Sequence, residues 1–281
     1  MPDIVVHLVV AAAYLGLAWH FWNTRWRARA ALEPGPGLRT WERAAILAPL
    51  ALHGWTLYLQ LYGAPQLRFG FAQALSAMLW LTVVIYWTES LFFRLDGMQP
   101  LVLGAAALGA LAPAWFPGRP VAVDSPDFKI HLTLAIVAYS LFTIAIVHAV
   151  LMAIADRFLH RTIKDGEADG PLGGALAGLP PLLTIEQMLF RMIGVAFAFL
   201  TITLATGLAL SHDMFGKALR FNHETVFAVA SWLTFAVLLW GRLFRGWRGR
   251  TALRWTVAGF VMVVLANIGT AFVLEVLLRR P

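Results

Sequence analysis

The chain has no cysteine. That absence excludes a disulfide framework, a thiolate nucleophile and a thiol redox shuttle, and it assigns any thiol chemistry to a partner. Charge is scarce as well: 13% of the 281 residues are Asp, Glu, Lys or Arg, against roughly 25% in soluble domains. Glycine-rich phosphate loops, zinc-type His-Glu helices and Ser/His/Asp nucleophile arrangements are missing in recognisable form. Nor does Met1-Pro2-Asp3, which precedes the first apolar run, carry the basic leader and small-residue cleavage site of a signal peptide. The first helix is therefore expected to stay in the mature protein.

What the chain does have is apolar side chain, 60% of its residues. Segments of about 20 apolar residues, the length that crosses a bilayer as a helix, recur near residues 4–22, 43–62, 70–90, 99–116, 130–155, 186–210, 224–243 and 252–278. The pattern predicts an all-α, polytopic membrane helix bundle of about eight transmembrane helices, a single membrane domain over residues 1–281. The fourth stretch is short, rich in Gly and Ala, and ends at Pro113 and Pro117, which leaves open whether it spans fully. Residues 156–181 mix Gly, Pro and charge and read as a flexible cytoplasmic loop.

The net charge of +7 sits mainly in short links, as topology signals do, and gives no case for nucleic acid. Basic links stay cytoplasmic. Arg25, Arg27, Arg29, Arg39 and Arg43 fall in one such link, Arg94 in a second, Arg157, Arg161 and Lys164 in a third, and Arg242 to Arg254 in a fourth. The opposite links hold fewer, so both termini are expected on the non-cytoplasmic side. Trp22, Trp26, Trp41, Trp87, Trp115, Trp247 and Trp255 near segment ends fit an interfacial aromatic belt.

Histidine is the residue type left to carry chemistry, because neutral imidazole is the usual protein donor to haem iron. His131 opens the fifth segment and His223 the seventh, both on the expected outer side. Two readings stand side by side: imidazoles that converge on a cofactor, or interfacial hydrogen-bonding histidines. His53 lies near mid-membrane, where an ionisable side chain needs a partner; an interhelical hydrogen bond or a second haem-ligand or relay role would supply one. His148, roughly 25 Å further along its helix than His131 at about 1.5 Å per residue, belongs to a different level. His7, His20 and His160 read as interfacial, and His212 as a mobile ligand or a solvated loop residue. Glu89, Glu186 and Glu275 fall near membrane boundaries and read as no part of a proton or cation path, and no strong intramembrane charge pair is evident. Glu224, next to His223, can orient an imidazole.

The segments His131-Leu-Thr-Leu-Ala-Ile-Val-Ala-Tyr139-Ser-Leu-Phe142 and His223-Glu224-Thr225, running on to Leu239-Trp240-Gly241-Arg242, resemble helices of the cytochrome c assembly proteins of the CcsA and CcmC type. Phe215-Gly216, Leu219-Arg220-Phe221 and Trp247-Arg248-Gly249-Arg250 are similar to the eight-helix inner-membrane branch of YpjD- and HemX-like proteins. The likeness covers roughly residues 40–275. It implies a bacterial inner (plasma) membrane protein that binds haem b, with His131 and His223 as iron ligands; His53, from its depth, and Glu224, from its place beside His223, are the further cofactor-binding candidates. Its implied partners are haem, the lipid bilayer, and apocytochrome c or other cytochrome c assembly proteins.

The departures matter too. The tryptophan-rich haem-contact signature of full synthetases is absent, since residues 215–222 hold no Trp and no Asp; Trp240 stands where the family has a histidine; and the final external histidine is missing around residues 268–273. His223 stands where synthetases have a lysine. Haem binding without covalent attachment is the expectation. A HemX-like regulator of haem biosynthesis, a haem-free regulator acting through Arg242 to Arg254, and a transporter or transporter-associated subunit are the alternatives.

Overall fold

The computed structural model describes residues 2–27, 38–62, 68–95, 97–120, 125–165, 181–215, 223–269 and 272. Within them the chain forms eight α-helices: α1 (Pro2–Phe21), α2 (Thr40–Tyr62), α3 (Phe71–Phe92), α4 (Gln99–Trp115), α5 (Pro126–Asp165), α6 (Leu182–Phe215), α7 (His223–Arg245) and α8 (Gly249–Val264). Wider π turns extend α1 through Trp22–Arg27 and α8 through Leu265–Gly269. Two short strands, β1 (Arg68–Phe69) and β2 (Arg119–Pro120), pair antiparallel.

Every apolar stretch of the sequence contains one of these helices. Helix α1 with its extension, α3, α5, α6 and α7 are long and apolar enough to cross a membrane, and α4 is a shorter apolar helix. The chain is an all-α, multi-pass membrane protein. A bilayer offers no water to unpaired backbone groups, so helices that satisfy their own hydrogen bonds are the natural solution for such a composition.

Side-chain bonds fix which helix ends meet. His7 near the start of α1 reaches Gln60 near the end of α2 and the Ala110 carbonyl near the end of α4. His131 near the start of α5 meets Thr206 towards the end of α6, and α7 runs beside α6 with Arg242 near its end bonded to Glu186 near the start of α6. His7, His131 and His223 therefore share one end of the bundle, here called the histidine end. Arg25, Arg43 and Arg242 lie at the other, the arginine end.

Two apolar cores divide the molecule. One joins α1–α4 through residues such as Tyr14, Phe21, Ile46, Tyr86 and Leu103, and takes in Ile144 and Leu151 of α5 and Met188 of α6 where the halves meet. The other joins α5–α8 through Phe142, Leu189, Ile193, Phe235 and Leu238. Helix α4, the weakest segment in the sequence, is held because its small residues let neighbours approach. The place a Cβ would occupy on Gly109 lies 2.8 Å from Leu79 Cδ1 of α3.

Two expectations need correction. Helix α5 runs to Asp165, so the first part of the stretch read as a loop is helix; it contains no glycine or proline before Gly166 and nothing stops the helix sooner. The remainder, 166–180, lies outside the described residues. Second, Glu89 and Glu186 turn inward, each 7% exposed, and take basic neighbours: Glu186 receives Arg242 at 2.9 Å and Glu89 lies 3.7 Å from His148. Position along a helix fixes depth, whereas the direction a side chain faces depends on helix neighbours that sequence does not reveal. Glu275 lies outside the described residues.

Candidate functional site

Ser125-Pro126-Asp127 starts α5. The Ser125 hydroxyl accepts the Phe128 amide at 3.2 Å, Pro126 takes the first helical position, and Asp127 lies in the first turn, where the helix dipole favours a carboxylate. This start sets His131 on the side of α5 that packs on α6. His131 Nδ1 lies 2.9 Å from Thr206 Oγ1, and the Thr206 hydroxyl donates to the Thr203 carbonyl at 3.1 Å. With its proton so used, Thr206 accepts, and Nδ1 of His131 donates. The proton therefore sits on Nδ1, and the Nε2 lone pair is left without a hydrogen-bond partner among the described residues. A neutral imidazole whose second nitrogen is held by a neighbour is the form that ligates metals.

Gly207 completes the seat. The position a Cβ would take there is 3.1 Å from His131 Cε1, so a larger residue would push the ring away. His131 itself is half-buried.

His223 is the first residue of α7 and Glu224 the second; both are exposed. Helix α7 touches α6 through Trp232, whose indole N–H donates to Thr201 Oγ1 at 2.9 Å and whose ring stacks on Phe197 at 5.4 Å. It touches α5 through the Phe142–Phe235 stack, with centroids 4.0 Å apart. His131 and His223 thus lie at one end of the bundle on helices that meet, but no hydrogen bond or ring contact joins them; the polar partner of His131 comes from α6.

No group of three or more His, Cys, Asp or Glu is arranged to hold a bare metal ion among the described residues. A structural or catalytic zinc needs three or four protein donors. An iron already held by a porphyrin needs one or two axial ones, and a single oriented imidazole with an exposed second histidine nearby suits that case.

The other histidines are engaged differently. His53 is fully buried, with Nε2 2.9 Å from Ser76 Oγ of α3 and its ring edge-on to Tyr14 of α1 at 5.7 Å. Nε2 thus makes an interhelical hydrogen bond, while Nδ1 is buried with no hydrogen-bond partner among the described residues. His7, read as interfacial, is 4% exposed and spends one nitrogen on the Ala110 carbonyl and the other on Gln60. The side chains of His160 and His212 lie outside the described residues.

At the arginine end, Glu42 gathers Arg25 at 2.7 Å, His20 at 3.1 Å and the Arg39 amide at 2.8 Å. Burial opposes its ionisation, but the Arg39 amide, His20 and Arg25 outweigh burial and hold the carboxyl below its usual range. Sequence reasoning missed this cluster along with Thr203, Thr206 and Gly207. The last three share a face of α6 by helical spacing, a signal that becomes readable only once α5 is known to lie against it.

A family model described as "Cytochrome C assembly protein" matches residues 43–278. The inner membrane protein YpjD of Escherichia coli (strain K12) is 27% identical over 182 residues, a match that spans 64% of this chain and 65% of that relative. A 28.8 kDa protein of Azospirillum brasilense is 29% identical over 215 residues, 73% of this chain and 76% of the relative. The cytochrome c biogenesis protein CcsA of Nostoc sp. is 31% identical over 86 residues, 31% of this chain and 24% of the relative. No solved structure matches.

Proposed function

The chain belongs to the cytochrome c assembly protein family, and from that premise we propose that it is a bacterial inner-membrane protein that binds haem b at its histidine end and serves cytochrome c assembly. His131, through Nε2, and His223 are the residues that would hold the haem iron. Glu224 is the acidic neighbour that orients His223 or meets the porphyrin surroundings, and His53 is structural. Bound haem would supply an iron centre open to axial ligation. The chain's own residues fix the donor: Thr206 of α6 sets the tautomer and Gly207 clears the ring, while the Phe197–Trp232 stack ties α6 to α7, the helix that carries His223.

The observation that carries this reading is the His131 ring, with one nitrogen committed to Thr206 and the other left as a free donor. The missing tryptophan-rich signature favours holding and presenting haem over attaching it; the absence of cysteine is neutral, since apocytochrome c supplies the thiols. The concentration of arginine at the opposite end supports a histidine end outside the cytoplasm. The test is the oxidised and reduced absorption spectrum of the detergent-purified protein, with His131→Ala and His223→Ala alongside. A Soret band weakened by both substitutions is the expected result; no haem in wild type expressed with ample haem, and none taken up on addition, would reject the reading.

A further inference from the structure

Glu89 of α3 and His148 of α5 face each other between the two half-bundles. Both are buried, 7% and 0% exposed. Oε2 of Glu89 lies 3.7 Å from Nε2 of His148, and neither carboxylate oxygen, nor that nitrogen, has a hydrogen-bond partner among the described residues. His148 Nδ1 lies 2.8 Å from the Ile144 carbonyl, an oxygen that can only accept. Nδ1 therefore carries a proton, and in the neutral ring Nε2 presents a bare lone pair to the carboxyl group.

Three proton counts are conceivable. With none between them, an ionised carboxylate lies buried against a lone pair, without a donor. With two, an imidazolium lies buried beside a neutral acid, without a counter-charge. With one, the pair is net neutral, either as acid and imidazole or as carboxylate and imidazolium. Uncompensated buried charge is strongly disfavoured. Of the charged groups on the packed helices, Glu186 of α6 is held by Arg242 of α7, Asp156 of α5 lies near Arg250 of α8, and Arg43 of α2 bonds the Ser90 carbonyl and not the Glu89 carboxylate.

We propose that Glu89 and His148 form a proton-binding site that holds a single exchangeable proton between Oε2 and Nε2. The 3.7 Å separation exceeds a tight hydrogen bond, so the proton is not locked between the two atoms. A cavity of about 90 Å³ at the arginine end is lined by Ser90, the residue after Glu89, with Arg43, Phe93 and Arg94, and by neither Glu89 nor His148. Water needs only about 10–15 Å³ by this measure, so the arginine end has room for water one residue along α3 from the pair. An apolar pair would pack this seam at lower cost, and an ionisable pair at such a place is better accounted for by proton chemistry than by stability. The site is independent of the haem reading.

The test is infrared and 15N-histidine NMR spectroscopy of the full-length wild type in detergent at neutral pH, with Glu89→Gln and His148→Asn to assign the signals. The expected result is one proton: either a protonated-carboxyl stretch, lost in Glu89→Gln, with a neutral His148, or no such band with an imidazolium His148. In either case the signal shifts on transfer to D2O. A carboxylate with a neutral imidazole, a protonated acid with an imidazolium, or a signal that does not exchange would each overturn the proposal. The wild-type spectra decide the proton count even if a variant fails to fold, and selective 15N-histidine labelling then keeps the assignment.

Discussion

The two halves of the bundle bury different kinds of polar group. In α1–α4, buried His7, Arg25, Glu42 and His53 reach from one helix to another: His7 to Gln60 and Ala110, Arg25 to Glu42, His53 to Ser76. In α5–α8, most are hydroxyls bonded to a carbonyl one turn back on their own helix, as with Thr143 to Tyr139, Thr203 to Phe199, Ser231 to Ala228 and Thr256 to Ala252. Such local bonds satisfy the group without tying helices together. The first half is cross-linked by polar contacts, while the second is held largely by apolar and aromatic packing. His131 belongs to the second half and is half-buried with Nε2 unbonded among the described residues, whereas His53 of the first half is fully buried, its Nε2 bonded to Ser76 of a neighbouring helix and its unbonded Nδ1 enclosed among packed side chains.

Variants that remove first-half cross-links are expected to lower stability and spare haem, and variants around His131 to do the reverse. The largest effect is expected from Glu42→Ala, which removes the buried carboxylate that pairs with Arg25 at 2.7 Å. Breaking a buried pair costs about 3–5 kcal/mol, read as a lower melting temperature in detergent with the haem content per folded protein unchanged. Glu42 also gives a pH signature. Its carboxyl is held low in the fold, so its contribution is complete above the ordinary value of 4.5 and is lost as pH falls through the lower folded value. Melting curves of wild type should therefore fall on acidification below 4.5, and Glu42→Gln should flatten that part of the profile.

Next in size is Thr206→Val, which removes the group that sets the His131 tautomer. Loss of such an orienting partner costs about 10–100-fold in metal affinity, measured here by haem titration, with little change in melting temperature. Gly207→Ala is expected to act in the same direction but less, a several-fold weakening as the new methyl displaces the ring. A Thr206→Val protein that melted well below wild type and kept its haem would break the contrast between the halves.

Much of the fold was legible in the sequence. Periodic apolar length placed a helix in each of eight stretches, and the Ser125-Pro126-Asp127 start of α5 is a local signal. The end of α5 was misread because falling hydropathy marks the membrane boundary, whereas a helix stops only where backbone chemistry stops it, here before Gly166. The site was half legible. His131 and His223 stand out as histidines at helix starts, but Thr206 is distant in sequence and ordinary in type. Glu89 was dismissed for the same reason, since its depth can be read from its position and its facing toward His148 cannot.

The most direct measurement compares His53→Ala with His131→Ala, each followed by haem content and by melting temperature in the same preparation. The account predicts that His53→Ala lowers the melting temperature and keeps the Soret band, while His131→Ala loses the band and melts close to haem-free wild type. A His131→Ala protein with full haem content, or loss of haem only in His53→Ala, would contradict it.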